Sequence, residues 1–176
     1  MIKVFSFRPE FFNNNGDQGN LEAIRHFLNV EIEFSAIDEA DFVLIGDASR
    51  AAMREFDKEL LTLTPALQER LDKGLPTLVI GSSYEFYSEL LAGTPRLSYG
   101  ARASEFRTAK FAELTVRGYR NSEVVDTDLF VSGAFVMTTL FGPVLAKNPQ
   151  LLQLMARNFG CEANFSPLEL EWIEKL

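Results

Sequence analysis

Histidine and cysteine are almost absent, with one of each in 176 residues. A structural zinc site wants four Cys or His ligands, and a Cys-His or Ser-His mechanism wants an imidazole beside its nucleophile, so both lack parts here. A single thiol also excludes an internal disulfide. Basic runs are missing too. Against 25 Asp plus Glu there are 17 Lys plus Arg, a net charge of -8, and no stretch collects enough cations to neutralise several phosphates. Nucleic acid is therefore not an expected partner. The longest apolar stretches, such as Phe42 to Ile45 and Ala134 to Val136, fall far short of the roughly 18 residues that span a bilayer. No membrane span is expected. Met1-Ile2-Lys3-Val4-Phe5 lacks the apolar core and cleavage site of a signal peptide, so the expected location is cytoplasmic.

What is present describes an ordinary globular chain, 47% hydrophobic and 24% charged. A chain of this length buries roughly 70% of its unfolded surface, enough for a core without staples. No repeat, linker or low-complexity tract divides it, and residues 1–176 read as a single domain. Leu21, Ile24, Phe27 and Leu28 form the buried stripe of a helix, which puts His26 on its solvated side. Cys161, just beyond a helix ending near Phe159-Gly160, reads as a small packing residue rather than a nucleophile.

Strands and helices alternate along the chain. Residues 2–7 form a first strand, and a polar loop then leads to a helix with Asn20 as its N-cap. Val30 to Phe34 alternates like a half-exposed strand, whereas Phe42-Val43-Leu44-Ile45 is continuously apolar like a central parallel one. A helix opens near Pro65 and stops at Gly74, ahead of the strand Thr77-Leu78-Val79-Ile80 and a helix from Tyr84 to Leu91. Between Thr94 and Arg120 the pattern is irregular, with a strand at Phe111 to Val116. Leu129-Phe130-Val131 and Ala134 to Met137 flank Ser132-Gly133 as a hairpin. Asn148-Pro149 opens a further helix, and Ser166-Pro167-Leu168-Glu169 has capping-box spacing for a terminal one. The expected fold is α/β, an open and mostly parallel sheet with helices on both faces. Any ligand crevice should lie at the carboxyl ends of the strands, where the loops after Phe7, Ile45 and Ile80 share a rim.

Several stretches, in order, resemble a class I glutamine amidotransferase domain of the cobyric acid synthase type. They are most similar to the small subunits that pair with a Mur-ligase-like protein to amidate lipid II. Asn15-Gly16-Asp17-Gln18-Gly19-Asn20-Leu21-Glu22-Ala23-Ile24-Arg25 resembles that family's Gly-Asp-x-Gly-Asn-x-x-Ala-Leu-Arg. Asp41-Phe42-Val43-Leu44-Ile45-Gly46 resembles a strand that in the family runs into Gly-Gly-Gly. Gly74-Leu75-Pro76-Thr77-Leu78-Val79-Ile80-Gly81-Ser82-Ser83-Tyr84-Glu85 stands where the family has Gly-x-Pro-x-Leu-x-Ile-Cys-Gly-Gly-Tyr-Gln. Gly118-Tyr119-Arg120-Asn121 is similar to Gly-Phe-Glu-Asn-His, and Leu140-Phe141-Gly142-Pro143-Val144-Leu145-Ala146-Lys147-Asn148-Pro149 to Leu-His-Gly-Pro-Leu-Leu-Pro-Lys-Asn-Pro. The resemblance implies a flavodoxin-like amidotransferase fold, shortened between Gly93 and Phe130.

The same alignment removes the chemistry. In the family a Cys attacks the glutamine amide and a His moves the proton, through a thioester that releases ammonia. Gly81 stands at the Cys position and Phe141 at the His position, and Gly46-Asp47-Ala48 replaces the glycine run that shapes the oxyanion loop. A carboxylate there opposes developing negative charge. Glycine at a strand-to-helix elbow relieves the strain of a positive φ, so Gly81 should have positive φ, with Phe141 in contact with it.

No other reaction is spelled out. An activated serine needs a base, and Gly81-Ser82-Ser83-Tyr84-Glu85 lacks the second glycine of Gly-x-Ser-x-Gly. Ser82 or Ser83 should instead cap the following helix, whose amides are open to a small anion. Asp17, Asp47 and Glu85 are scattered carboxylates, so no metal is expected, and no cofactor. The candidate cleft comprises Gly46, Asp47, Gly81, Ser82, Ser83, Tyr84, Glu85 and Phe141. An inactive amidotransferase-like interaction or regulatory subunit is the leading reading. Its expected partner is a synthetase such as a Mur-ligase-like subunit, or a second copy of itself. The alternative is a small-ligand sensor or enzyme using a remodelled crevice. Tyr84, Phe86, Tyr87 and Trp172 fit either a core or a set of interface anchors.

Overall fold

A computed structural model describes residues 1–175. Its central sheet runs β2 (Ile32–Phe34), β1 (Ile2–Ser6), β3 (Phe42–Ile45), β4 (Thr77–Ile80), β8 (Phe135–Thr138) and β7 (Leu129–Ser132). All neighbours are parallel except β7 on β8. The order reverses between β1 and β3, as in flavodoxin-like sheets, and this places a crevice at their carboxyl ends.

The continuously apolar strands are buried on both faces because their side chains alternate between two cores. Phe42, Leu44, Leu78 and Ile80 face α1 (Gly19–Leu28), α5 (Val144–Lys147) and α6 (Pro149–Ala156). Val43, Ile45 and Val79 face α2 (Arg50–Glu55), α3 (Asp57–Lys73) and α4 (Ser82–Ser88). The terminal α7 (Pro167–Glu174) begins with the expected capping box at Ser166 and Glu169. It leans on α1, with Phe165 stacked on Phe27 at 4.1 Å and Glu169 on the exposed His26 at 2.9 Å. Cys161 is half-buried against the first core.

Several expectations are corrected. Pro65 does not open a helix but lies inside α3, which starts at Asp57. Proline costs one backbone bond, to the carbonyl of Leu61, and that residue is exposed, where water can serve instead. Asn20 is not an N-cap. It is buried in the first turn, where its amide donates to the Asp17 and Gly142 carbonyls and its oxygen accepts from the Leu145 amide. Asn148-Pro149 does open α6 as expected, with Asn148 at the N-cap, though its side chain clamps the Arg117 backbone instead of capping the helix. The tight turn is Gly133-Ala134, one residue later than expected, with positive φ at Gly133.

The largest correction concerns the irregular stretch. It forms a long antiparallel hairpin of β5 (Tyr99–Phe111) and β6 (Leu114–Val124), to which the short β9 (Leu140–Phe141) adds as a third strand. Phe111 to Val116 is not one strand but the hairpin's tip, the end of β5 and the start of β6 joined by a turn at 112–113. Among the described residues no helix is long and apolar enough to cross a membrane.

Candidate functional site

The loops after β1, β3 and β4 meet on one rim. Gly46 must be a glycine for space, since a Cβ would run into the Phe12 carbonyl and approach Asp17 Oδ2 to 3.0 Å. That close approach lets the next amide, of Asp47, donate to Asp17 Oδ2 at 2.8 Å. The Asp47 carboxylate then swings over the elbow. Its Oδ1 accepts from the Ser82 amide at 2.9 Å, and its Oδ2 accepts from the side chains of Asn15 at 3.1 Å and Asn14 at 3.4 Å.

Gly81 itself has φ 61° and ψ -122°, the positive φ expected of an elbow. A Cβ at Gly81 would collide with Asp47 Oδ1 and lie 2.7 Å from Phe141 Cε1. The space that a nucleophile's side chain needs is therefore filled from two sides. In a nucleophile elbow the amide after the nucleophile helps to hold the oxyanion. Here that amide belongs to Ser82, and the protein's own carboxylate occupies it.

The two serines do not cap α4, because both lie inside its first turn and face the β3 loop. Ser82 Oγ accepts from the Ala48 amide and donates to the Ala48 carbonyl, each at 3.0 Å, while buried Ser83 Oγ donates to the Gly46 carbonyl at 2.7 Å. Nor is the Ser82 amide open to an outside anion, since Asp47 Oδ1 already holds it. Tyr84 and Tyr87 are fully buried, which makes them core residues rather than interface anchors, and Tyr87 donates its hydroxyl to the Leu60 carbonyl. Trp172 is exposed.

Asp47, Ser82, Glu85 and Phe141 line a crevice of about 400 Å³ together with Asn14, Asn15, Arg50, Arg102, Asn121 and Glu123. Gly46, Ser83 and Tyr84 do not line it; Ser83 and Tyr84 are buried, and Ser83 ties the elbow to Gly46. Arg102, Asn121 and Glu123 come from the hairpin, which the sequence pattern did not place at the crevice, whereas Asn14 and Asn15 lie in the loop after β1 that was expected on its rim without being singled out. Asn121 carried a signal as the Asn of the Gly118-Tyr119-Arg120-Asn121 motif, and Asn15 as the start of the stretch at 15–25. Glu123 bridges Arg102 at 3.2 Å and Arg50 at 3.7 Å across the mouth. Burial pushes the Glu85 carboxyl up, and the charges of Asp47 and Glu123 add to the rise.

Buried Asp17 is the electrostatic cost of this arrangement. Burial pushes its carboxyl from 3.8 up to about 7; the Asp47 amide pulls it down, and the Asp47 charge raises it again. A carboxyl raised on folding stabilises the native state in its protonated form, so its contribution is complete below pH 3.8 and lost as pH rises through about 7. Asp17→Asn should therefore raise Tm at pH 8 and have less effect at pH 5, by roughly 2–4 °C for each kcal/mol regained. Thermal melts at the two pH values check this; an unchanged pH dependence in the variant would count against it.

No protein-family model matches the chain, and no curated protein does. The crystal structure of a glutamine amidotransferase from Thermotoga maritima superposes with a TM-score of 0.52 at 17% identity, covering 99% of this chain and 90% of that one. A second crystal structure, of SMU.1228c, covers 99% of this chain and 82% of its own at 9% identity, and its TM-score of 0.43 is too low to bear on the fold. The chain has the mixed α/β, largely parallel architecture of that amidotransferase, consistent with a flavodoxin-like glutamine amidotransferase fold.

Proposed function

We propose that this chain is a catalytically inactive glutamine amidotransferase-like protein that acts as an interaction or regulatory subunit. The observation that carries the reading is the filled elbow. The Asp47 carboxylate sits on the Ser82 amide and, with Phe141, takes the volume a Cys side chain would need at Gly81. Neither Gly81 nor Phe141 supplies a nucleophile or a base. The motifs at 15–25, 74–85 and 140–149 resemble those of the cobyric-acid-synthase type and support that reading, under which a synthetase subunit such as a Mur-ligase-like protein is the favoured partner.

The purified protein should release no ammonia from glutamine above buffer and should form no covalent adduct with a glutamine-analogue chloroketone, read by intact mass. Turnover abolished by a change at the elbow would overturn the reading. A small-ligand sensor is the second reading, favoured by the open crevice of about 400 Å³ with charges of both signs. Thermal stabilisation by a metabolite, without turnover, would favour it.

A further inference from the structure

The hairpin presents an unusual edge. β5 is the outermost strand of its sheet, and no strand pairs with its far side among the described residues. Residues Ser104 to Thr108 are exposed without interruption; beyond them Ala109 is buried and Phe111 packs on Phe130. Phe106, at the centre of that run, is 71% exposed and touches only one aromatic ring, Tyr119, edge-on at 5.2 Å. Free edges of this kind are templates for another strand, and charged residues on them usually repel one.

The charges here are arranged differently. They flank Phe106 with opposite signs, Glu105 on one side and Arg107 on the other. We propose that two copies of this chain pair antiparallel along β5, about a two-fold axis through Phe106, joining their hairpins into one sheet. In that register Phe106 meets itself, Ser104 meets Thr108, and Glu105 meets Arg107 of the second copy twice over. An axis through Glu105 or Arg107 would set like charges directly opposite, which is destabilising, and one through Ser104 would form no ion pair. Glu105 has a vacancy for the contact. Its nearest cation within the chain is Arg107 at 3.9 Å, and it makes no hydrogen bond among the described residues. At the ends of the register Arg102 faces Lys110, but Arg102 is already held by Glu123 and Asn121. The interface is isologous, as a closed dimer requires. It is also independent of the chemistry at the elbow, so a glutaminase assay of either outcome leaves it standing.

Sedimentation velocity over a concentration series tests it on the intact chain. The wild type should show a reversible monomer–dimer equilibrium. Glu105→Arg and Arg107→Glu, each alone, place like charges across the axis and should raise the dissociation constant roughly tenfold or more. Mixed one to one, the two variants restore both ion pairs and should form a heterodimer that neither forms alone. Because Arg107 also reaches Asp128 at 3.1 Å within its own chain, Phe106→Lys serves as a second disruption that leaves that contact alone, and it should also be monomeric. A wild type that stays monomeric at the highest concentration overturns the proposal. So does a dimer that survives Phe106→Lys, or folded single variants that gain nothing on mixing.

Discussion

Restoring a cysteine at the elbow, Gly81→Cys, should destabilise the protein by about 2–6 kcal/mol and yield no glutaminase activity. A residue with Cβ held at positive φ costs roughly 1–3 kcal/mol. Forcing a side chain into filled space costs about 1–3 kcal/mol more, and here that space holds Asp47 Oδ1 and Phe141, whose Cε1 would be 2.7 Å away. Since native domains hold only about 5–15 kcal/mol, the variant should melt well below the wild type. Adding Asp47→Ala removes one of the colliding groups, so the double variant should be more stable than the sum of the two single changes. That coupling follows from their contact. Equilibrium urea unfolding of the four proteins measures it, and a Gly81→Cys variant as stable as the wild type would show that the elbow is not filled as described.

That the elbow was legible from sequence while the crevice around it was not has a physical cause. The strands Phe42 to Ile45 and Thr77 to Ile80 are buried on both faces, so they appear as unbroken apolar runs, and the turn that ends the second must fall at Gly81. The hairpin has no such signature. Along β6 the inward positions are Val116, Gly118, Arg120, Ser122 and Val124, and three of those five are not hydrophobic, so a genuine period of two leaves no apolar alternation to read. Along β5 almost every residue is exposed, because it lies at an edge with solvent on its outer face. The hairpin residues Arg102, Asn121 and Glu123 therefore reach the crevice through pairing across the chain, which spacing alone does not encode. Pro65 misled for a related reason. Its helix turns an exposed face to water at that point, and the usual helix-breaking rule loses force there.

A buried ion pair joins the hairpin to the body alongside its apolar contacts and the Asn148 clamp, and removing its carboxylate should be the most damaging single change outside the elbow. Arg120, on the inward face of β6, is 1% exposed, with Nη1 3.0 Å from Asp128 Oδ1 and Nη2 turned to the Ser122 and Val124 carbonyls, while its buried Nε has no partner among the described residues. Asp128 precedes β7, accepts from Thr139 Oγ1 at 2.5 Å, and takes Thr138 Oγ1 and the Thr139 amide on its backbone carbonyl. This carboxylate thus adds a polar tie between the three-stranded sheet and the central one. A buried ion pair adds little over an apolar pair of the same volume, yet losing one member strands the other's charge, at a cost of about 3–5 kcal/mol. Asp128→Ala should lower stability by that amount, which for a chain of this size is roughly 6–20 °C in Tm. Arg120→Met combined with Asp128→Leu should recover most of it, because no buried unpaired charge then remains; Arg107, which also reaches Asp128, is 40% exposed and can turn to water. Hydrogen exchange adds a local readout: in Asp128→Ala the β6 amides should lose protection before those of β3 and β4. If the variant unfolds within about 1 kcal/mol of the wild type, in the range of an exposed pair, then Arg120 finds water or another acceptor, and the hairpin is held by its apolar contacts at Val116 and Val124 instead.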